Sequence, residues 1–207
     1  MTTRPATAQA APPASAAVAR RAAARRRALQ RRRPRLSRLL AWLLAAWLGH
    51  AGLALAQVAP GALPGGGQVM VGSGQLLLSP NLLVIQQNSN RLGLDWQSFN
   101  IGSGAAVEFR QPDAGSVALN RVVGHSGSQI YGQLKANGQV FLTNPNGILF
   151  APGSKVDVGG LVASTLDLSQ ADFADGRYVF NAVGAPGRVV NQGTLNASAG
   201  GYLDRKS

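Results

Sequence analysis

From Gln57 onward the chain is a succession of short apolar runs separated by Gly, Asn and Pro. Runs of this kind read as strands punctuated by turns. The pattern predicts strands at Gln68–Val71 and Gln75–Leu78, split by Gly72-Ser73-Gly74, and at Leu82–Gln86. Leu92, Leu94 and Trp96 alternate on one face of the next segment. Ala106–Phe109, Val117–Val123, Gln139–Thr143, Ile148–Phe150 and Lys155–Val158 follow, then Arg177–Asn181, Arg188–Asn191 and Thr194–Ala197. No long stretch repeats at the helical period. The expected fold class is therefore all-β, and two architectures remain open on pattern alone: a sandwich and a parallel β-helix. Loose echoes such as Asn137-Gly138-Gln139-Val140, Asn146-Gly147-Ile148-Leu149 and Asn191-Gln192-Gly193-Thr194 fit stacked coils, whose corners suit Asn and Gly. With about 20 residues per coil, some seven coils would be expected after residue 56.

Residues 1–56 have a different texture. Thr2 to Ala24 is an Ala/Pro/Arg-rich tract with no apolar period, expected to be disordered. A dense positive region, Arg25 to Arg38, precedes the uncharged run Leu39 to Leu48 (LLAWLLAAWL). Ala54 and Ala56 satisfy the small-x-small rule for signal cleavage before Gln57. The reading is a basic leader with a signal helix. The rival, a membrane anchor, would have to use the uncharged stretch Leu39 to Leu55, short of the usual ~20 residues and interrupted by Gly49, His50 and Gly52.

Charge changes the picture only once it is divided along the chain. The net charge of the 207 residues is +12, but residues 1–56 hold 11 Arg and no acid, so the remainder is near +1. The basic total therefore belongs to the leader and gives no nucleic-acid footprint to the exported part. The absence of Cys excludes disulfide scaffolds, thiol catalysis and Cys-ligated zinc, and two His cannot build a His-rich metal site.

The candidate chemistry is sparse, and no enzyme is expected. Gly124-His125-Ser126-Gly127-Ser128 lacks the final Gly of a nucleophile elbow. Its His and Ser are adjacent in sequence, the wrong geometry for a triad. Asp172 and Asp175 could offer two oxygens to a cation that wants six to eight, so a solvated acidic turn is the better reading. Gly65-Gly66-Gly67 is not followed by the Lys-Ser/Thr pair of a phosphate loop. Trp96 and Phe99 read as buried residues rather than a glycan platform. No cofactor and no metal are expected. The sharpest local signal is Asn144-Pro145-Asn146-Gly147. Pro145 presets φ, Asn146 tolerates the next position and Gly147 suits the exit of a tight turn, the last two through their tolerance of positive φ.

Asn144-Pro145-Asn146-Gly147-Ile148, with Asn137 to Leu142 before it, resembles the N-terminal secretion domain of two-partner secretion exoproteins, the filamentous haemagglutinin and high-molecular-weight adhesin type. Leu94-Asp95-Trp96-Gln97-Ser98-Phe99-Asn100-Ile101-Gly102 is similar to that family's W-x-x-F-N-I block. Val117 to Val122, Ser128 to Leu134 and Val158 to Leu168 are similar to further blocks, in the family's order. Ser79-Pro80-Asn81-Leu82 is a partial echo of a second family motif, NPNL.

The resemblance implies a right-handed parallel β-helix with a capped N-terminal end over residues 57–203. It implies Sec export, periplasmic recognition by an outer-membrane barrel transporter with POTRA domains, passage unfolded and folding outside the cell. Asn144, Pro145, Asn146 and Gly147 would be the secretion motif. The expected product is the secretion module of a large exported adhesin, whose downstream region would meet a host surface or glycan. Residues 204–207 read as the polar tail of a truncated chain. The alternatives are an adhesin fragment that binds glycan or host protein itself and a β-helix enzyme acting on polysaccharide.

Overall fold

The structure, a computed structural model, describes residues 58–184, 187–198 and 200–207. The expected leader and the cleavage residues Ala54, Ala56 and Gln57 lie outside the described residues. Nearly all the regular secondary structure of the described residues is strand. The strands are β1 (Gln68–Val71), β2 (Gly74–Ser79), β3 (Leu82–Gln87), β4 (Arg91–Trp96), β5 (Ala106–Arg110), β6 (Val117–Val122), β7 (Ser128–Ile130) and β8 (Gln133–Ala136). Then come β9 (Gln139–Thr143), β10 (Ile148–Phe150), β11 (Lys155–Val158), β12 (Gly160–Ser164), β13 (Val189–Asn191), β14 (Thr194–Ala197) and β15 (Leu203–Lys206). Among the described residues one short helix, α1 (Gln170–Ala174), lies between β12 and β13.

Three sheets result. The first has the order β1-β4-β6-β9-β12-β15, the second β14-β11-β8-β5-β3-β2, and the third β13-β10-β7. From β3 onward the chain visits the second, first and third sheets in turn: β3 and β4 with a bridge at Ile101, then β5-β6-β7, β8-β9-β10 and β11-β12-β13, and finally β14-β15. Every ladder among these strands is parallel. The two antiparallel pairs belong to the start of the chain, where β1 lies on β4 and β2 on β3, so the first and second sheets are mixed. The chain passes the second sheet five times after β2, fewer than the seven coils expected. The residues before β3 are spent on β1 and β2, and those between β12 and β13 on an excursion carrying α1.

Parallel register stacks like on like. Leu83, Val107, Leu134, Val156 and Leu195 form one inward column of the second sheet. Leu92, Ala118, Val140 and Leu161 form one in the first. These residues belong to a single core that also holds Trp96, Phe99, Ile101, Phe109, Ile130 and Phe150. Asn120 occupies a core position between Leu94 and Leu142, where a bare amide would cost a few kcal/mol. It is satisfied: Trp96 Nε1 donates to Asn120 Oδ1 at 3.0 Å, and Asn120 Nδ2 donates to the Phe141 carbonyl at 3.3 Å. Trp96 meets Phe99 edge to face at 5.6 Å, and both are buried, as expected from the sequence.

The first sheet is also covered on its other face. Val117, Leu119, Phe141 and Val162 point outward into a second cluster with Leu168 and Phe173 of the excursion. Strands buried on both faces lose their alternation, so β12 (GLVAS) is buried at every position and carries no period-2 signal. That is why the pattern reading passed over it. It also missed β7, three residues long, and β8, whose one buried side chain is Leu134. The predicted strand Arg177–Asn181 is a correction. Only Asn181 makes a bridge, to Asp167, and the alternating Tyr178 and Phe180 rings pack on Phe141 instead of entering a sheet. Helix α1 is too short to show a helical period. The boundary at residue 203 also shifts: β15 runs through Lys206 and pairs with β12, so Asp204 to Lys206 are strand rather than tail.

One pH effect follows from β15. Burial pushes the Tyr202 hydroxyl up to about 12. Its proton is held by Gln139 Oε1, to which the hydroxyl donates at 2.7 Å. The neutral form is the stabilised one, so this contribution is complete below about pH 10, the unfolded value, and is lost as pH rises toward 12. Ultraviolet titration of tyrosinate should show one late-ionising group that disappears in Tyr202→Phe.

Candidate recognition corner at Asn144–Gly147

The third and first sheets meet at the turn Asn144-Pro145-Asn146-Gly147, between β9 and β10. It is a corner rather than a hairpin, because β9 and β10 belong to different sheets. Gly147 N donates to the Asn144 carbonyl at 3.0 Å and closes the four-residue turn. Gly147 has φ +108, where a side chain is strained. Asn146 does not: among the described residues no non-Gly residue has positive φ. The expectation that Asn146 is chosen for that tolerance is therefore corrected. Its side chain is used instead. Asn146 Nδ2 donates to the Gly124 carbonyl at 3.0 Å and to Asn144 Oδ1 at 3.2 Å.

Asn144 is the centre of the corner and is 0% exposed. Its Nδ2 donates to the Ser126 carbonyl at 3.0 Å and to Ser128 Oγ at 2.9 Å. Its Oδ1 accepts from Asn146 N at 2.9 Å, the Asx turn that local Asn chemistry favours. Main-chain bonds extend the corner to both neighbouring passes. Ser128 N donates to the Gly147 carbonyl, Gly187 N to the Pro145 carbonyl and Ile148 N to the Arg188 carbonyl. The four motif residues are thus brought together, with their polar groups turned toward the protein. The sequence reading missed the partners Gly124, Ser126, Ser128 and Arg188. The Gly- and Ser-rich run Gly124 to Ser128 was the available signal, and it reads as a loop until stacked beneath the turn.

Beside the corner lies a small depression of about 270 Å³ lined by Arg121, Val123, His125, Pro145, Asn146 and Asp167. Its floor is an ion pair in which Arg121 grips Asp167 with two bonds, at 2.6 and 2.9 Å, and lies 3.6 Å from Asp95. The Asp167 hydrogen bond raises the Arg121 pKa against the effect of burial. Gln170 of α1 donates to Asp95 Oδ1 at 2.8 Å, so the same cluster pins the excursion to β4 and β6. Arg121→Ala would leave two half-buried carboxylates without their cation, and a loss of about 1–2 kcal/mol in chemical denaturation is expected, with Arg121→Lys recovering only part.

The remaining candidates take structural places. His125 and Ser126, the adjacent pair of the elbow-like run, are both exposed, and the Ser126 carbonyl serves the corner by accepting from Asn144 Nδ2. Ser169 caps α1: its Oγ accepts from Asp172 N at 3.1 Å and donates to Asp172 Oδ2 at 2.7 Å, which places Asp172 in the first turn. The Ser169 bond, followed by Arg177, holds the Asp172 carboxyl below its ordinary value. Arg177 also reaches Asp175 at 2.9 Å, the solvated acidic turn of the sequence reading. Among the described residues no three His, Cys, Asp or Glu side chains cluster to hold a metal. Pro80-Asn81, the NPNL echo, turns the hairpin between antiparallel β2 and β3.

The chain is 47% identical over 108 residues to a heme/hemopexin-binding protein of Haemophilus influenzae strain Rd and 40% identical over 111 residues to another from that species. These stretches cover 52% and 54% of the chain but 12% of each relative, so the chain spans about an eighth of their length. Among solved structures it is similar to the HMW1 secretion domain of Haemophilus influenzae, with TM-score 0.59 and 32% identity over 63% of this chain and 35% of that one. The sequence profile of the TPS secretion domain matches residues 63–207, and the chain belongs to that family, the secretion module of two-partner exoproteins.

Proposed function

We propose that this chain directs the export of a larger exoprotein. Residues 1–56 carry it through Sec, with Ala54 and Ala56 marking cleavage before Gln57. Residues 57–203 are recognised in the periplasm by the POTRA domains of an outer-membrane barrel transporter, cross unfolded, and fold outside as a right-handed parallel β-helix capped by β1 and β2. Asn144, Pro145, Asn146 and Gly147 are the secretion motif. The passenger beyond this module is an adhesin-like region directed at a host surface.

The observation that carries this reading is the corner. A motif shared with secretion domains is here the joint that holds three successive passes together, through Gly124–Ser128 on one side and Gly187–Arg188 on the other. The cyclic order of parallel strands supports the β-helix. Short Val/Leu-rich runs such as Gly74–Ser79 (GQLLLS) support recognition by strand addition, because before folding they are free to pair with a POTRA sheet edge. No catalytic arrangement competes with this reading among the described residues. The outward carboxylates Glu108 and Asp157 are occupied by Arg110 and Asn196.

The test is a secretion assay on the 207-residue chain, tagged after Ser207, with and without its cognate barrel protein. Tag in the medium only when the barrel is present is the expected result. Folded protein retained in the periplasm in both cases would overturn the reading and bring direct glycan or host-protein binding to the front.

A further inference from the structure

The sequence contains two Asn-Gly steps, Asn137-Gly138 and Asn146-Gly147, and both stand at corners of the fold. We propose that these two steps are sites of spontaneous deamidation that are open while the chain is unfolded and closed by folding. The chemistry needs only water. The glycine backbone nitrogen attacks the asparagine Cγ, a nitrogen–carbon bond forms, the Cγ–Nδ2 bond breaks, and ammonia leaves with the proton of the glycine amide. Water then opens the five-membered imide to aspartate or isoaspartate. Glycine favours the attack because no Cβ shields its nitrogen and its backbone reaches the required rotation.

The fold withholds both reactants at both sites. Gly138 N donates to Gln111 Oε1 at 2.9 Å, and Gly147 N donates to the Asn144 carbonyl at 3.0 Å, so neither nitrogen faces its asparagine. Each asparagine amide is tethered as well. Asn137 Nδ2 donates to the Gln111 carbonyl at 2.8 Å while its Oδ1 accepts from Gln111 N at 2.8 Å. Asn146 Nδ2 is held by the Gly124 carbonyl and Asn144 Oδ1. Attack would require the corner to open.

The product cannot rebuild the corner. An aspartate has no amide donor, so at 146 a carboxylate would face the Gly124 carbonyl and Asn144 Oδ1, and at 137 the Gln111 carbonyl. Isoaspartate would in addition lengthen the main chain within the turn. A chain kept unfolded thus loses folding competence with time, and one that has folded is protected. The bearing on export rests on the proposed unfolded passage; the chemistry does not.

The experiment incubates the purified 207-residue chain in denaturant and in native buffer at one pH and temperature, and follows each asparagine by peptide mass and isoaspartate content. Expected is conversion at 137 and 146 in denaturant, ahead of Asn100 and Asn191, which precede Ile and Gln, and at least about tenfold slower conversion in the folded chain. Equal rates in the two states, or no preference for the two Asn-Gly steps, would overturn the proposal. Asn137→Asp and Asn146→Asp are expected to lower refolding yield, and wild-type refolding of both would remove the stated consequence. No transporter enters these measurements, so their failure leaves the secretion reading untouched.

Discussion

Asn144→Ala is expected to destabilise the folded domain by about 3 kcal/mol and to reduce secretion more than any other single change in its turn. The reason is the combination of full burial and full hydrogen bonding. Removing the amide leaves the Ser126 carbonyl, Ser128 Oγ and Asn146 N without their partner, in a corner that water does not reach from the Asn144 side. Each buried polar group left unpaired costs about 1–3 kcal/mol, and neighbouring groups relax enough to prevent a simple sum.

Asn144→Asp tests the same point by charge. It keeps the acceptor for Asn146 N but sets a carboxylate against the Ser126 carbonyl, and it should be as harmful as alanine. Asn146→Ala should cost less, about 1 kcal/mol, because that side chain is exposed and water can replace it. Gly147→Val should fall between, as a β-branched residue forced to φ +108 whose Cβ would stand 3.2 Å from the Arg188 carbonyl oxygen. Chemical denaturation gives the stability order, and quantitation of protein in the medium gives the secretion order. If the two orders agree, the motif acts through the fold. If Asn146→Ala blocks secretion while leaving stability intact, the exposed amide is read directly by the partner.

Trp96→Ala is the second large effect, about 3–5 kcal/mol. Trp96 is 1% exposed and packs across Phe99 in the single inner core. Its loss opens a cavity and also removes the donor that satisfies Asn120 Oδ1. Trp96→Phe separates these terms. It keeps a buried aromatic ring and gives up the indole N–H together with part of the ring volume, so it should cost less than alanine, roughly 1–3 kcal/mol, with the unpaired Asn120 acceptor a main part. The pair Trp96→Phe with Asn120→Leu should recover part of that loss, since Leu94 and Leu142 already flank the position and both polar groups are then gone. A double variant no better than Trp96→Phe alone would show that the Trp96–Asn120 bond is not the source of the cost.

The chain itself determined a good deal. The short apolar runs at residues 82–86, 139–143 and 148–150 lie where β3, β9 and β10 form, because alternating or compact Val/Leu/Ile runs closed by Gly, Asn or Pro have few other conformations that bury them. The Asn144–Gly147 turn was legible for a local reason too: proline presets φ, asparagine bonds the backbone two residues on and glycine admits positive φ, all without help from distant residues.

What the turn joins was decided only by tertiary structure. Its amides are spent on Gly124, Ser126 and Ser128, 16 to 22 residues away, and no local signal names those partners. The excursion escaped for a related reason. Tyr178 and Phe180 alternate as a strand would, yet they serve a second cluster on the outside of the first sheet, over Phe141. The bonds that hold the excursion there span 46 residues for Arg121–Asp167 and 75 for Gln170–Asp95. A local pattern reports which side chains need burial. Which surface buries them is settled by stacking, where parallel register brings together residues that the sequence keeps far apart.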